Sequence, residues 1–387
     1  MHKKYLYFVL SITFVIVAPI SAVNYVLGMQ YWNNAGLART ANTWQNETKG
    51  IANLPANQIK LYKHYQFESK AKQVSAVVLG SSTIYPISGD MIENKKQLFN
   101  ASYPTNRTSS VLRQAEYIQE HFDNINLFIL EINWVLGYLT QNRNSKSYER
   151  LIQDAQASEV PAHVLLKDSI TMTRFNDLLD LFEKQKKIYE QANEEDEIAF
   201  RWIFNEYECT TGQIAKDFST RFMGTCDGFD DDGAATYFGR QHAKVNNNRH
   251  RQILKKALAG KFQFYNHLSD NKRKPNKQLL DSLTKLALEF EGQGKQVVFL
   301  MPPLLPNFEK SLLANPTTAA NLSEIKEAVF NWAAENNLNL IDAGQSENFD
   351  CVPSDFIDGH HATRECFDKV FASQHREVLA SQLTLAR

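Results

Sequence analysis

The sequence predicts an α/β fold in which a central parallel β-sheet carries helices on both faces and is interrupted by a helical insertion. Three observations carry this expectation. Short apolar runs bounded by turn residues recur at 74–79, 97–100, 127–132, 296–301 and 338–341. Amphipathic stretches lie between several of them, and strands that alternate with helices and stay apolar throughout read as parallel and buried on both sides. Polar residues stand directly after two of the runs, outside the carboxyl ends of the strands, where an open α/β sheet places its ligand.

At the front, His2, Lys3 and Lys4 precede a stretch from Tyr5 to Met29 that has no charged side chain. About 20 apolar residues cross a bilayer as a helix. Ser11, Thr13, Pro19, Ser21 and Asn24 dilute the run at less cost than a charge, and the basic flank leaves the remainder outside the cytoplasm. Ile20-Ser21-Ala22 is a poor cleavage site, because Ile20 stands where a small residue is wanted. The expectation is an uncleaved membrane anchor over 1–29, with a cleaved signal peptide as the competing reading; both export the body. Residues 30–70 are polar, carry scattered aromatics and an Asn53-Leu54-Pro55 break, and read as a stalk and entry segment.

The α/β body is expected over 71–133 and 276–387. Val74 to Leu79 is its first strand and ends in Gly80-Ser81-Ser82. Gln97 to Asn100 follows, and the stretch from Thr108 to Phe122 then places Val111, Ala115, Ile118 and Phe122 at helical spacing. Leu127 to Ile132 leads into Glu131-Ile132-Asn133-Trp134. The strand pattern then stops, and 134–275 reads as a helical insertion or cap. Its run Glu194-Glu195-Asp196-Glu197 reads as a solvated helix face. Trp202, Phe204, Tyr207, Phe222, Tyr237 and Phe238 are chiefly core formers, with one or two exposed members able to stack on sugar rings. Leu279 to Phe290 and Leu322 to Ala334 are helical, the runs 296–301 and 338–341 complete the sheet, and Asp358-Gly359-His360-His361 lies beyond them.

Charge and cysteine usage narrow the function. The 42 basic and 43 acidic side chains nearly cancel, so the whole chain lacks the electrostatic footprint of a nucleic-acid binder. Four cysteines allow three pairings. The local one, Cys209 with Cys226 and Cys351 with Cys366, suits an exported protein, with four free thiols as the alternative. A bridge from Cys351 to Cys366 would enclose Asp358 and His361. No metal and no cofactor are expected. His-Glu-x-x-His and phosphate-loop patterns are absent, and Asp230-Asp231-Asp232-Gly233 fails the calcium-loop pattern because Gly228 and Gly239 stand where acids are required. His242 and His250 lack a third ligand.

Acyl chemistry needs a nucleophile, a base, a group that orients the base, and donors for the oxyanion. Ser82, at a strand-to-helix turn, supplies the first and offers its own backbone N–H to the oxyanion. Asp358 and His361, three residues apart, face the same way on a single turn, so the carboxylate takes one imidazole proton and leaves the other nitrogen to act on Ser82. His360 is the alternative base and suits the pairing less well. Asn133 offers an amide at the end of its strand, as an oxyanion donor or as a residue that ends the strand by bonding to local backbone.

In that order and at those strand ends, the residues resemble the SGNH hydrolase superfamily. Its members carry a serine after the first strand, an oxyanion asparagine after a middle strand, and Asp-x-x-His near the C-terminus; here these are Ser82, Asn133, Asp358 and His361. The resemblance covers about 75–133 and 280–380 and implies a flavodoxin-like three-layer sandwich. The superfamily's oxyanion glycine after the second strand is missing from Phe99-Asn100-Ala101-Ser102-Tyr103-Pro104. The backbone of Ala101 or Ser102 is expected in its place, with Asn100 shaping the turn. Ser81 replaces the aspartate of the Gly-Asp-Ser esterases, as in a membrane-anchored branch that includes the D-alanine transfer protein of lipoteichoic acid synthesis and the acetylation proteins of alginate assembly.

That branch implies O-acyl transfer, acetyl above all, from an acyl donor to a cell-envelope polysaccharide, beside a multi-spanning membrane O-acyltransferase. The catalytic domain would lie outside the cytoplasm on a single-pass anchor. An esterase or deacetylase of envelope glycans uses the same residues, and a non-catalytic adaptor of a membrane acylation complex is a third reading.

Overall fold

The computed structural model describes residues 51–52, 59–92, 97–105, 107–135, 146–157, 228–230, 232–235, 247–261 and 275–372, together with helical positions 4, 5, 7, 11, 14 and 15. The rest of the 5–29 stretch, the acidic run at 194–197, the six aromatics between Trp202 and Phe238, Asp231, His242, Cys209 and Cys226 lie outside the described residues. Tyr5, Tyr7, Phe14 and Val15 are exposed. Among the described residues no helix is long and apolar enough to cross a membrane.

Five strands make one parallel sheet: β1 (Ala76–Leu79), β2 (Leu98–Asn100), β3 (Leu127–Glu131), β4 (Gln296–Met301) and β5 (Asn339–Asp342). They are the five apolar runs, with small shifts at the ends. Every residue of β1, β2 and β3 is buried. This is why the runs show no polar alternation: helices or loops cover both faces. The order across the sheet is β2-β1-β3-β4-β5. The chain therefore leaves β1 toward one edge and from β2 onward winds toward the other, which makes β1 and β3 the neighbours at the switch point. Leu79 pairs with Leu130, Glu131 with Leu300 and Met301 with Asp342, so the carboxyl ends stand level along one rim.

Eight helices accompany the sheet among the described residues: α1 (Ile59–Lys70), α2 (Thr108–His121), α3 (Tyr148–Ala157), α4 (Asn247–Leu258), α5 (Lys277–Gly292), α6 (Phe308–Leu313), α7 (Pro316–Glu335) and α8 (Arg364–Ala372). The connections holding α2, α5 and α7 all move the same way along the sheet, and right-handed crossovers put such helices on one face. Contacts between α2 and α5, and a 2.7 Å bond from Trp332 Nε1 on α7 to Thr284 Oγ1 on α5, agree. The β1-to-β2 connection moves the opposite way and so covers the other face, where its turn Gly89–Ile92 packs against α8. Local chemistry sets the helix starts. Asn276 and Asn315 cap α5 and α7 by accepting from Leu279 N and Thr318 N, and Pro316 opens α7. In the core, Phe128 meets Phe290 at 4.5 Å and Phe299 meets Trp332 at 5.1 Å.

Two boundaries differ from the sequence reading. The span read as a stalk contains α1, which is part of the body: Leu61, Tyr62 and Phe67 are buried beside Lys63, His64 and Gln66. Its buried face mixes polar with apolar side chains, so the apolar period that betrays an amphipathic helix is missing. The described parts of the insertion also belong to the body. Trp134 and Val135 join the main core, as do Ile253 and Ala257 of α4, which packs on α6. Gly228–Phe229 pairs antiparallel with Ile51–Ala52. Cys351 and Cys366 form a disulfide, the second of the two expected local pairs.

Candidate active site

The turn that carries Ser82, the expected nucleophile, begins where β1 runs out. Gly80 lies against Glu131, and a Cβ at Gly80 would stand 2.5 Å from Glu131 Cβ and 2.5 Å from Ile84 Cδ1, so only glycine fits. Ser81 then caps a 3₁₀ turn, Ser82–Ile84, its hydroxyl accepting from Thr83 N. Ser81 and Thr83 are buried and Ser82 is half-buried, so of the three side chains Ser82 is the one turned outward.

The facing groups sit at the tip of a short hairpin. Ile357 N donates to His361 O at 2.9 Å and Thr363 N to Asp355 O at 2.8 Å, closing the two arms, and Leu305 N, just beyond β4, holds the tip through Gly359 O at 3.1 Å. Asp358 organises the turn by itself, because its Oδ1 accepts from the backbone N–H of His360 and of His361, both at 3.0 Å. Gly359 packs close to Ile253 of α4 and Phe308 of α6; an added Cβ would meet each at 3.1 Å. The Cys351–Cys366 bridge encloses the whole hairpin.

These two loops, 279 residues apart in sequence, meet: Ser82 Oγ lies 2.8 Å from His361 Nε2, and His361 Nδ1 lies 2.9 Å from Asp358 Oδ2. Since Asp358 accepts from Nδ1–H, Nε2 presents its lone pair to the Ser82 hydroxyl. Burial alone would raise the Asp358 carboxyl, but His361, His360 and their hydrogen bonds outweigh it and hold the group well below the usual carboxylate range. The His360 ring lies tilted beside that of His361 at 4.3 Å, and burial lowers its imidazole to about 4 against the pull of Asp358.

Ligand atoms of Asp358, His360 and His361 lie within 4.8 Å of one another. The carboxylate already accepts from three N–H groups and His361 Nε2 faces Ser82, so the set is organised as a hydrogen-bonded relay.

The expected oxyanion donors fare differently. Ala101 N donates to Val78 O at 2.9 Å, extending the β1–β2 ladder, and Ser102 N donates to Asn100 Oδ1 at 3.2 Å. Neither backbone N–H is offered to a substrate, which corrects the expectation for Ala101. Asn100 is no donor to an oxyanion either. Its amide nitrogen holds the carbonyls of Ile84, Tyr85 and Ile87 at 2.9–3.0 Å, so it ties the nucleophile loop to the end of β2, the turn-shaping role also read from the sequence. Asn133 is fully buried at the end of β3 and donates through Nδ2 to Glu131 Oε1 at 3.2 Å.

Several residues that hold the site carry no role in the sequence reading. Glu131, buried, accepts from Ser81 N, Ser81 Oγ, Thr83 Oγ1 and Asn133 Nδ2. Its signal was a charged residue closing an otherwise apolar strand. Arg364, three residues past His361, reaches Asp90 at 2.8 Å, Asp230 at 3.4 Å and Ser88, and so clips the nucleophile loop to the hairpin. Lys63, fully buried on α1, donates to Asn100 O at 2.7 Å and to Gly233 O. Desolvation lowers its ammonium to about 7, with Asp232 and Asp230 opposing.

Asp230 and Asp232–Gly233 belong to a floor segment under the end of β2: Asp232 O accepts from Asn100 N at 2.7 Å, and its carboxylate accepts from Gly89 N at 2.9 Å. Gly233, at φ +76°, has no room for a Cβ, which would lie 2.4 Å from Asn100 O. His250 is buried on α4, and desolvation lowers its imidazole against the effects of a Phe356 backbone bond and Asp358. A cleft of about 410 Å³ between α2 and α3 is lined by Arg113, Glu116, Tyr117 and Tyr148 among others, and by no residue of this site. No known protein family matches the chain, and no curated protein matches it.

Proposed function

We propose that the protein is an exported, membrane-anchored, SGNH-like O-acyltransferase that moves an acyl group, acetyl in the first instance, onto a hydroxyl of a cell-envelope polysaccharide through an acyl-enzyme on Ser82. The observation that carries this reading is the unbroken relay from Ser82 Oγ through both ring nitrogens of His361 to Asp358. The strand order, which is that of flavodoxin-like sheets, supports the SGNH reading, as do Ser82 after β1 and Asn133 after β3 at the switch point. The uncharged run after His2-Lys3-Lys4, with Tyr5, Tyr7, Phe14 and Val15 exposed on helical positions, supports the anchor.

In the first half-reaction His361 Nε2 takes the hydroxyl proton as Ser82 Oγ bonds to the donor's carbonyl carbon. The oxyanion is held by the Ser82 N–H and the Asn133 amide. Collapse breaks the bond to the leaving group, which departs with the proton from His361. In the second half-reaction a sugar hydroxyl gives its proton to Nε2 and attacks the Ser82 ester, and the proton returns to Ser82 Oγ as the product ester leaves. Asp358, kept ionised, stabilises the imidazolium formed in each half.

The test uses the full chain in detergent with p-nitrophenyl acetate. Wild type should give a burst of p-nitrophenol and a mass increase of one acetyl on Ser82, both lost in Ser82→Ala. Release of the acetyl group to added oligosaccharide faster than to water marks a transferase, the reverse an esterase. Absence of any serine-dependent acylation would leave an adaptor.

A further inference from the structure

The two loops that supply the relay are also joined by a cation standing outside it. Arg364 opens α8, three residues past His361, and the bond from Thr363 N to Asp355 O at 2.8 Å closes the hairpin of the base directly before it. Its Nη2 donates to Asp90 Oδ2 at 2.8 Å and to the Ser88 hydroxyl, and its Nη1 donates to Asp230 Oδ2 at 3.4 Å. Ser88 is fully buried, whereas the side chains of Arg364, Asp90 and Asp230 are 32 %, 41 % and 29 % exposed. One planar fork therefore joins the hairpin to two remote segments, the loop that follows Ser82 and the floor.

The groups it grips are themselves fixed to the Ser82 turn. Met91 N donates to Ser88 O at 3.2 Å, Ile87 N to Ile84 O at 3.3 Å and Tyr85 N to Ser82 O at 3.5 Å, while Asn100 Nδ2 holds the carbonyls of Ile84, Tyr85 and Ile87. Gly89 N donates to Asp232 Oδ2 at 2.9 Å, which binds the same loop to the floor. A shift of Ser88 or Asp90 thus carries the Ser82 turn with it, and a shift of Arg364 carries the hairpin. We propose that Arg364 is a positioning residue, a guanidinium clamp that sets the gap across which His361 Nε2 takes the Ser82 proton. The inference rests on the acyl-enzyme reading above.

The gap matters because the proton crosses a single hydrogen bond of 2.8 Å, and a displacement of about 1 Å between reacting groups costs about 10²-fold in rate. The disulfide and the Leu305 N bond to Gly359 O tie the hairpin to itself and to the segment beyond β4. Arg364 ties it to the loop of the nucleophile. Partly exposed ion pairs are individually weak and are screened by salt, so the clamp should loosen as the Debye length falls from about 10 Å at 0.1 M to about 3 Å at 1 M. A lysine at 364 would keep the charge and lose the planar fork that serves three oxygens at once.

The experiment measures the burst rate with p-nitrophenyl acetate, a neutral substrate, on the full chain in detergent as wild type, Arg364→Ala and Arg364→Lys. Arg364→Ala should acylate about 10- to 10²-fold more slowly, with Arg364→Lys between it and wild type. Guanidinium chloride at a non-denaturing concentration should restore part of the rate lost in Arg364→Ala, where NaCl at the same concentration should not. The ratio of wild-type to Arg364→Ala rates should shrink severalfold as NaCl rises from about 0.1 to about 1 M. A wild-type rate in Arg364→Ala overturns the inference. Failure of either the guanidinium rescue or the narrowing with salt overturns it as well, since a side chain that only stabilises the fold would show neither. Should Arg364→Ala fail to fold, Asp90→Asn with Asp230→Asn replaces it: both ion pairs go while the arginine stays, and slower acylation with less dependence on salt is expected. A wild-type rate in that variant overturns the inference. Labelling that survives in Ser82→Ala would refute the serine reading and this inference with it, whereas labelling lost in Ser82→Ala and unchanged in rate in Arg364→Ala would refute the inference alone.

Discussion

At the scale of single residues, two neighbouring histidines are given opposite work by their surroundings. His361 has one nitrogen on Asp358 and the other on Ser82, while His360, 12 % exposed, is held neutral by burial with its imidazole lowered to about 4. Below its ordinary 6.5 the unfolded chain takes up a proton that folded His360 refuses, so this residue makes the fold lose stability as pH falls from about 6.5 to about 4. Asp358 adds to the loss further down, since its folded carboxyl stays ionised until well below the range where the unfolded one protonates. His360→Asn should flatten the upper part of this acid slope by up to about 1.4 kcal/mol per pH unit, read as Tm against pH between 6.5 and 4.5. Ser82, Asp358 and His361 were legible because spacing and strand position are written along the chain. Glu131, Arg364 and Lys63 were not, because each acts on groups brought to it from remote segments, and their sequence neighbourhoods say nothing of those partners.

Among elements, the hairpin carrying Asp358 and His361 is fixed by several short ties: two cross-arm bonds, the Leu305 bond, the Gly359 contacts with α4 and α6, and the disulfide. Replacing Cys351 and Cys366 by serine restores the freedom of a loop whose ends are 15 residues apart, worth about 3 kcal/mol in the chain-entropy estimate. The expected outcome is a lower Tm and a slower Ser82 acylation at a temperature where the variant is still folded, checked by calorimetry and burst kinetics on one preparation. The five strands were readable from apolarity alone, and α2, α5 and α7 from their spacing. The helix α1 escaped because Lys63, His64 and Gln66 are buried on its inner face, where Lys63 and Gln66 donate to backbone carbonyls of remote segments. The expected second-strand oxyanion donor failed for a similar reason: the hydrogen-bond ladder continues one residue past β2 and takes the Ala101 N–H.

For the whole molecule, Lys63 links three distant stretches, since from α1 it reaches Asn100 at the end of β2 and Gly233 in the floor segment, with the Phe229 ring 4.3 Å from its Nζ. Its folded value of about 7 lies below the 10.5 of an exposed lysine, so the unfolded chain holds the extra proton and stability should rise with pH between about 7 and about 10. Lys63→Met should abolish that rise while lowering Tm at high pH, where two buried carbonyls lose their donor; Tm measured from pH 7 to 9.5 checks both. Parallel order and the rim location of the site could be anticipated, because alternation of strands and helices dictates them. The packing of α4 and the floor segment into the body could not, because their contacts with the sheet follow stretches of chain whose length hides who meets whom. The separation of Ser82 from His361 bears on timing as well as place. On the proposed reading, a nascent polypeptide presents Ser82 well before His361, so a copy that stops between them holds the serine without the base that would activate it. In those terms, acylation of Ser82 would wait until the hairpin that carries His361 has been made.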